Sequence, residues 1–391
     1  MVPPSKSMAH RLLICAGLSD GESVVRRLSL SRDITATIGC LRALGAKITL
    51  TGDTAVVRGT NVLYRQENAV LRCDECGSTL RFFIPLCMLS QGRATLTGTP
   101  YLMSRPLSVY EEIARARSLY YDKGADAVTV GGALAAGVYR IPGNISSQFV
   151  SGLLFALPML PDDSEIVLIP PVESRPYIDM TVSSLNAFGV AVSSDGDTYR
   201  IAGGQRYVAR SVTVEGDCSN AAFFEALNAA GGAVEVAGLS PDTLQGDRVY
   251  KRLFERIRTS HEVIDISDCP DLGPVLFAVA ALQGGGMFSG TARLRFKESD
   301  RAAAMRAELN KFGADTQVGE NTVTVRAGDL HAPNELLDGH GDHRIVMALS
   351  VLAARFGGVI DGAEQVEKSF PDFFDRLREL HVEVSEDGMD Q

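Results

Sequence analysis

The sequence predicts an α/β protein with two similar halves, each built from three repeats of a helix–strand–helix–hairpin unit. Three observations support this prediction. The chain has 391 residues, too many for one ordinary core, which favours two domains. One pattern recurs six times: an apolar helix, a glycine or acidic break, a short strand and a polar loop. Glycine also closes the second helix at corresponding points of several copies.

The first helix of each repeat starts at a small or polar residue and continues as an apolar run. Residues 12–15 and 223–227 have the dense apolar spacing of helices that are buried on most sides. The six helices are predicted to start at Ser7, Ser78, Ser146, Ser219, Asp271 and His343. A break and a short strand follow each helix, with the breaks at Gly21, Gly92, Asp163, Gly232, Gly286 and Gly358.

A second helix and a strand pair complete most repeats. Segments 41–46, 185–190 and 309–314 each end a helix at a glycine, the residue that best tolerates the left-handed C-cap conformation. Asp195, Gly196 and Asp197 then form a polar turn between alternating residues, which predicts a hairpin, and residues 121–143 are a looser copy. The predicted domains are residues 5–214 and residues 215–391 together with 1–4.

The composition argues against several classes of partner. The formal charge is 38 − 48 = −10, which disfavours nucleic acid or an anionic membrane as the main partner. The most apolar run, residues 149–161, is too short to span a bilayer, and the N-terminus lacks a secretory signal pattern. We therefore expect a soluble, cytoplasmic protein with no nucleic-acid or membrane partner, and a monomer.

The seven cysteines show no disulfide framework, which favours a reducing compartment. Cys73 and Cys76 form a lone C-x-x-C. Two small residues near a strand–helix junction explain it better than a zinc or redox site, because no second pair stands nearby. His340 and His343 likewise have no ligand cluster around them in the sequence. No metal site is predicted.

Cations and hydroxyl groups are concentrated at helix starts and in the loops after strands. A helix N-terminus presents unpaired N–H groups and a partial positive charge, and Lys or Arg there favours phosphate or carboxylate ligands. Any one such segment could be a solvated turn or an ordinary helix cap. Their recurrence at equivalent points of six repeats instead favours a site for small anionic substrates. The segments are 4–11, 77–81, 104–106, 143–148, 174–177, 270–271, 293–301, 342–344 and 368–372.

Together these segments resemble the 5-enolpyruvylshikimate-3-phosphate synthase family. The resemblance covers most of the chain, from Pro4 to about Leu380, and its most specific motifs are SKS at 5–7, SSQ at 146–148, KESDR at 297–301, DHR at 342–344 and KSFPD at 368–372. It implies two domains of the inverse α/β barrel type, each of three β-α-β-α-β-β repeats, with the active site in the interdomain cleft. The strand that precedes the first motif in the family is expected to be missing here.

The resemblance also implies a reaction. The enolpyruvyl group of phosphoenolpyruvate would pass to the 5-hydroxyl of shikimate 3-phosphate with release of phosphate, on the route to chorismate and the aromatic amino acids. The resemblance implies that this reaction would proceed through a tetrahedral intermediate and would need no cofactor. Such chemistry requires a proton shuttle, an acceptor for the hydroxyl proton and cations for two anionic ligands. The herbicide glyphosate is expected to compete with phosphoenolpyruvate.

Matching positions imply a role for each motif residue. Asp271 would orient or deprotonate the 5-hydroxyl, and Glu298 would exchange the methylene proton, with Lys6 and His343 as catalytic partners. The residues implied for shikimate 3-phosphate are Lys6, Ser7, Arg11, Ser146, Ser147, Gln148, Ser174, Tyr177, Asp271 and Lys297. Those implied for phosphoenolpyruvate are Lys6, Gly77, Ser78, Arg105, Gln148, Arg301, Arg344 and Lys368.

Several alternatives stay open. Ion pairing with a nearby arginine is the alternative role for Glu298, and an ordinary hydrogen bond is the alternative for His343. Glu75 stands where the family usually has asparagine, and Arg293 stands where many relatives have asparagine or glutamate. The alternative functions are enolpyruvyl transfer to another acceptor, such as UDP-N-acetylglucosamine, and ligand binding by a catalytically impaired relative.

Overall fold

The computed structural model describes residues 1–59, 68–260, 262–326 and 328–385. The chain divides into two compact units. The N-terminal unit comprises Pro4–Glu215 and the short segment Asp242–Gly246, and the C-terminal unit comprises Met1–Pro3, Gly216–Pro241 and Asp247–Gln391. Among the described residues, no helix is long and apolar enough to cross a membrane.

Helices of the N-terminal unit alternate with short strands along the chain. The helices are α1 (Lys6–Leu18), α2 (Arg32–Ala43), α3 (Gly77–Met88), α4 (Pro100–Ser104), α5 (Ser108–Ala116), α6 (Ser147–Ala156) and α7 (Arg175–Ala187). The strands are β1 (Gly21–Arg26), β2 (Lys47–Thr51), β3 (Thr54–Gly59), β4 (Ala69–Arg72), β5 (Arg93–Thr97), β6 (Tyr120–Lys123), β7 (Ala127–Gly131), β8 (Val138–Pro142), β9 (Ser164–Ile169), β10 (Val192–Asp195), β11 (Thr198–Ile201) and β12 (Ser211–Thr213).

These strands form sheets of one repeated design. The strand orders are β12-β1-β3-β2, β4-β5-β7-β6 and β8-β9-β11-β10. In each sheet the first two strands are parallel and the remaining pairs are antiparallel. A parallel pair needs a crossover, and a helix supplies it in the second and third sheets, whereas the antiparallel pairs include the hairpins. The same four-stranded repeat therefore occurs three times within the N-terminal unit.

The C-terminal unit repeats the design with shorter strands. Its helices are α8 (Cys218–Ala226), α9 (Tyr250–Thr259), α10 (Gly273–Leu282), α11 (Arg301–Lys311), α12 (His343–Phe356) and α13 (Phe373–Glu379). Its strands are β13 (Ile264–Asp265), β14 (Gly285–Ser289), β15 (Asp315–Val318), β16 (Thr322–Arg326), β17 (Leu337–Asp338) and β18 (Ile360–Asp361). The order β13-β14-β16-β15 matches the N-terminal sheets, and β17 and β18 form a parallel pair.

The predicted helix starts are confirmed to within two residues, with Asp271 lying in a 3₁₀ turn directly before α10. Three predicted C-cap glycines, Gly45, Gly189 and Gly313, have left-handed φ values of 103°, 81° and 93°. The predicted hairpin is confirmed as β10 and β11. The strand predicted after Gly232 is wrong: residues 233–240 form no strand, because no ladder of paired residues develops around the bond from Val2 N to Ala237 O at 2.9 Å.

The first helices of the repeats contribute most of their residues to the hydrophobic cores of the two compact units. Helices α3 and α6 pack against one another through rings such as Phe82 and Phe155, whose centroids lie 5.4 Å apart. Helix α10 packs similarly, with Phe277 edge-on to Phe288 of β14 at 5.0 Å. Each fully buried large apolar side chain contributes about 1.5–3 kcal/mol. Most residues of these helices are buried, and polar side chains such as Ser78 and Ser147 lie at their N-termini.

Candidate active site

Lys6 opens helix α1 and lies beside a carboxylate of α2. Ser5 caps α1, and its hydroxyl accepts the N–H of Met8 at 3.4 Å. The Lys6 Nζ atom lies 2.8 Å from Oδ2 of Asp33, and the two side chains are only 14% and 6% exposed. This ammonium adds to the positive end of the α1 dipole. Asp33 was not among the predicted site residues, since nothing in its local sequence distinguishes it from a helix-start aspartate.

Arg11 lies further along α1, where it ties α1 to α7. Its guanidinium donates to Oγ1 of Thr181 at 2.9 Å and to the carbonyls of Ser7 and Tyr177 at 2.6 and 2.8 Å. Burial lowers the pKa of Arg11 to about 10, so the group remains charged at neutral pH. A guanidinium carries five N–H bonds, and these three contacts leave capacity for an anionic ligand.

Gln148 connects two helix starts through its amide. Its Oε1 accepts a hydrogen bond from Arg81 Nη1 at 2.6 Å, and its Nε2 donates to Ser78 Oγ at 2.9 Å. Arg81 is 3% exposed and also donates to the carbonyl of Pro106 at 3.0 Å. The predicted residues Gln148 and Ser78 are therefore adjacent. Arg81 was not among the predicted site residues, although it lies in the cation-bearing segment 77–81.

Gly77 allows the Arg105 guanidinium to approach the first turn of α3. A Cβ atom on Gly77 would lie 2.6 Å from Nη1 of Arg105, which is closer than real contacts permit, and 3.1 Å from Cζ, which is tight. Arg105 is 8% exposed, so this position is enclosed. Two residues predicted to bind phosphoenolpyruvate thus meet in the structure.

The predicted serines lie at the starts of α6 and α7. Ser146 caps α6 and accepts the N–H of Gln148 at 3.3 Å, and Ser147 is the first residue of the helix. Ser174 occupies the N-cap position of α7 with a left-handed φ of 57° and is 1% exposed. This conformation is disfavoured for a residue with a Cβ and is common at ligand sites. Tyr177 occupies the first turn of α7.

Asp271 is surrounded by cations of the C-terminal unit. Its Oδ1 accepts hydrogen bonds from Lys297 Nζ at 3.0 Å and from Arg301 Nη1 at 2.9 Å. Its Oδ2 accepts from Arg344 Nη2 at 3.1 Å. Burial by itself would raise the pKa of Asp271, but the three positive charges outweigh burial and hold the pKa well below its usual range. Such a carboxylate is a strong hydrogen-bond acceptor and a weak base.

Arg301 binds two further carboxylates and is only 1% exposed. Its Nε donates to Asp342 Oδ2 at 2.8 Å, and its Nη2 donates to Glu298 Oε2 at 2.6 Å. Burial opposes the charge, but the surrounding carboxylates raise the pKa of Arg301 above its ordinary value. The alternative predicted for Glu298, an ion pair with a nearby arginine, is thus present in the structure. A ligand carboxylate that bound Arg301 would have to share these partners.

Asp342 organises the start of α12. It is fully buried, caps the helix by accepting the N–H of Arg344 at 2.9 Å, and accepts the Ser299 hydroxyl at 3.1 Å. His343 is 1% exposed, and its Nδ1 lies 3.7 Å from Asp342 Oδ1. The sequence identified the Asp-His-Arg motif but assigned no role to Asp342. Its cap is a common local pattern, whereas its bond to Arg301 depends on the fold.

Lys297, Lys368 and Asp247 also lie in the C-terminal unit. Burial lowers the pKa of Lys297, although Asp271 opposes this effect. Lys368 is 5% exposed at the end of the 3₁₀ segment Ala363–Lys368. Burial, aided by the nearby charge of Asp271, raises the pKa of Asp247 to about 7, and Ser219 donates its hydroxyl to Asp247. Asp247 was not predicted, because it lies outside the recurring cationic segments.

The two residues that depart from the family pattern differ in exposure. Glu75 is exposed in the turn before α3, where solvent screens its charge. Arg293 is 8% exposed and lies in the 3₁₀ segment Ala292–Phe296.

Solved structures share this fold. An EPSP synthase from Acinetobacter baumannii has a TM-score of 0.79 and 23% identity, with 99% of this chain and 96% of that chain covered. The enolpyruvyl transferase NikO from Streptomyces tendae has a TM-score of 0.76 and 14% identity, with 98% and 94% covered. The fold is therefore the two-domain α/β fold of the enolpyruvyl transferases.

The sequence comparisons identify the family within this class. The model of the EPSP synthase (3-phosphoshikimate 1-carboxyvinyltransferase) family matches residues 1–377, and the chain belongs to this family. A 3-phosphoshikimate 1-carboxyvinyltransferase from Clostridium kluyveri is 40% identical, with 98% of this chain and 95% of that protein covered. One from Clostridium perfringens is 37% identical, with 97% and 95% covered. The protein is accordingly a transferase, as the motifs predicted.

Proposed function

We propose that the residues described above carry out the reaction of the family, transfer of the enolpyruvyl group of phosphoenolpyruvate to shikimate 3-phosphate. The observation that supports the assignment best is the cluster around Asp271. Three cations hold one ionised carboxylate beside the second carboxylate of Glu298. An addition–elimination on anionic substrates needs this combination: positive charge for binding, and carboxylates for orienting a hydroxyl and moving a proton.

The anion-binding roles divide between the two ligands. The proposed shikimate 3-phosphate residues are Lys6, Ser7, Arg11, Ser146, Ser147, Gln148, Ser174, Tyr177, Asp271 and Lys297. The proposed phosphoenolpyruvate residues are Lys6, Gly77, Ser78, Arg105, Gln148, Arg301, Arg344 and Lys368. Several of these cations bind protein carboxylates in the free protein, as Lys6 binds Asp33. Substrate phosphates and carboxylates would therefore bind by sharing or replacing those partners.

Asp271 is proposed to orient the 5-hydroxyl. Its lowered pKa makes it a weak base, so acceptance of a hydrogen bond suits it better than removal of the proton. Lys297 lies 3.0 Å from the same carboxylate, and its lowered pKa increases the fraction of neutral amine, the form that can accept the hydroxyl proton. Asp271 and Lys297 would bind the 5-hydroxyl from two sides.

Glu298 is proposed to exchange the methylene proton. In the addition, the 5-oxygen bonds to C2 of phosphoenolpyruvate and C3 gains a proton. In the elimination, C3 loses a proton and the bond from C2 to the phosphate oxygen breaks. Glu298 is held by Arg301 in the free protein, and a ligand that engaged Arg301 would leave Glu298 freer to act. Lys6 and His343 are the proposed partners in these proton transfers.

A phosphate-release assay with both substrates tests the assignment. Glu298→Gln should retain substrate binding and lose turnover, and Asp271→Asn should lose turnover and weaken acceptor binding. Glu75→Gln is the matched control, because it makes the same kind of change at an exposed carboxylate. Equal activity of Glu298→Gln and Glu75→Gln would reject the shuttle role.

Acceptor choice and assembly are tested separately. Replacing shikimate 3-phosphate by UDP-N-acetylglucosamine should abolish phosphate release, and equal rates with both acceptors would contradict the proposed specificity. We also propose that the enzyme acts as a cytoplasmic monomer; all seven cysteines are free thiols, which suits a reducing compartment. Sedimentation at a mass near 41.9 kDa would support the monomer, and twice that mass would contradict it.

A further inference from the structure

A buried cluster beneath Lys6 carries three different metal-ligating groups. One ligand atom from each of His10, Asp33 and Cys76 lies within 4.8 Å of the other two. His10 Nε2 lies 3.8 Å from Cys76 Sγ. The three residues are 1%, 5% and 1% exposed. They come from α1, α2 and the turn before α3, so only the fold brings them together.

The histidine is oriented as metal-binding histidines are. His10 Nδ1 lies 2.7 Å from Thr37 Oγ1, and that hydroxyl lies 2.7 Å from Thr79 Oγ1. This fixed contact turns the other ring nitrogen toward the Cys76 thiol. A second hydrogen bond that fixes the ring is the usual support for a histidine ligand.

The protonation states suit a soft cation. Burial lowers the pKa of His10 to about 3, so the imidazole is neutral and its free nitrogen can coordinate. Burial raises the pKa of the Cys76 thiol to about 12, so the thiol keeps its proton until something displaces it. A thiophilic ion forms the strong sulfur bond that this displacement requires, whereas Mg²⁺ and Ca²⁺ prefer oxygen.

We propose that His10, Asp33 and Cys76 form an inhibitory site for thiophilic divalent cations such as Zn²⁺ and Cd²⁺. The ion bonds to the sulfur as the S–H bond breaks, and the proton leaves to the solvent; no electrons are transferred. Three protein ligands leave one position of a tetrahedral ion for water. Lys6 and a bound dication would compete for the Asp33 carboxylate, because the Lys6 ammonium lies 2.8 Å from it.

Inhibition follows from that competition. A bound dication would repel the Lys6 ammonium and take its carboxylate partner, and Lys6 is assigned to both substrates. This consequence rests on the proposed function, whereas metal binding itself does not. Metal binding and inhibition are therefore measured by different signals in one titration.

The test is a titration of the full-length protein with Cd²⁺. The ultraviolet band of the Cd–thiolate bond reports binding, and phosphate release reports activity. We expect one equivalent of Cd²⁺ to produce the band and to inhibit in parallel, with EDTA reversing both. Cys76→Ser should weaken the band and the inhibition at least about tenfold. Serine can still accept the Thr79 N–H that Cys76 Sγ accepts at 3.4 Å, so the cap of α3 is retained.

Two further variants make the result decisive. His10→Asn can keep a hydrogen bond to Thr37 while removing the coordinating nitrogen, and it should also weaken the band. Cys15→Ala removes another buried thiol from α1 and should leave the band unchanged. Absence of a band, or a band that survives both Cys76→Ser and His10→Asn, would overturn the proposed site. A band without inhibition would overturn the inhibitory role, and absence of phosphate release in the metal-free protein would instead refute the proposed function.

Discussion

The contact between Gly77 and Arg105 allows a quantitative prediction for Gly77→Ala. A Cβ at this position would lie 2.6 Å from Arg105 Nη1, whereas ordinary contact begins near 3.4 Å, so the guanidinium must retreat by about 3.4 − 2.6 = 0.8 Å. Loss of a hydrogen bond to a charged group costs about 1.5–3 kcal/mol, or about 10- to 150-fold in affinity. Because a shift of this size weakens a contact without removing it, we expect about a tenfold rise in KM for phosphoenolpyruvate.

The assay is steady-state phosphate release with phosphoenolpyruvate varied at saturating shikimate 3-phosphate. The kcat should change little, since the weakened interaction is a binding contact. Folding should be unaffected, because the clash is with the end of a flexible side chain and alanine is favoured over glycine in a helix. Gly39→Ala in α2 is the matched control: its Cβ would meet nothing within 4 Å, so KM should stay at the wild-type value. An unchanged KM in Gly77→Ala would refute the reasoning.

Other predictions concern the C-terminal cluster. Glu298→Gln should lower kcat by about 10²–10⁴-fold with little change in substrate affinity by calorimetry, and near-normal turnover would contradict the shuttle. Asp342→Asn keeps the α12 cap but removes a charge from Arg301, so denaturant unfolding should show a loss of about 2 kcal/mol; an unchanged midpoint would contradict this. Asp271 has a lowered folded-state pKa, so its stabilisation is complete above the unfolded value of about 3.9 and is lost as pH falls toward the folded value. The difference in melting temperature between wild type and Asp271→Asn should therefore narrow as the pH is lowered from 6 to below 4, and a constant difference would argue against the coupling.

Sequence patterns predicted the repeats because those patterns are local. An apolar run after a serine defines a buried helix, and a glycine at the left-handed position ends one, as at Gly45. The strand predicted after Gly232 failed because a strand is defined by its partner, and partners lie elsewhere in the chain.

The site residues likewise divide into those with a local sequence pattern and those defined by distant partners. The cationic residues were found because they recur at helix starts. Asp33 and Asp342 were missed because their importance comes from contacts over 27 and 41 residues of chain, with Lys6 and Arg301. The cluster of His10 with Cys76, 66 residues apart, is of the same kind, and the lone C-x-x-C gave no indication of it.

The first sheet has a consequence for synthesis of the chain. Strand β12 pairs with β1, so Val24 lies opposite Ser211, and this sheet remains without its parallel edge until residue 213 has been made. At about 5–20 residues per second, a ribosome takes roughly 10–40 s between these two strands. During that interval, the exposed edge of β1 is available to other chains. We expect chaperone dependence to be concentrated in this interval, and ribosome-bound chains ending before residue 211 to aggregate more readily than those extending well past it.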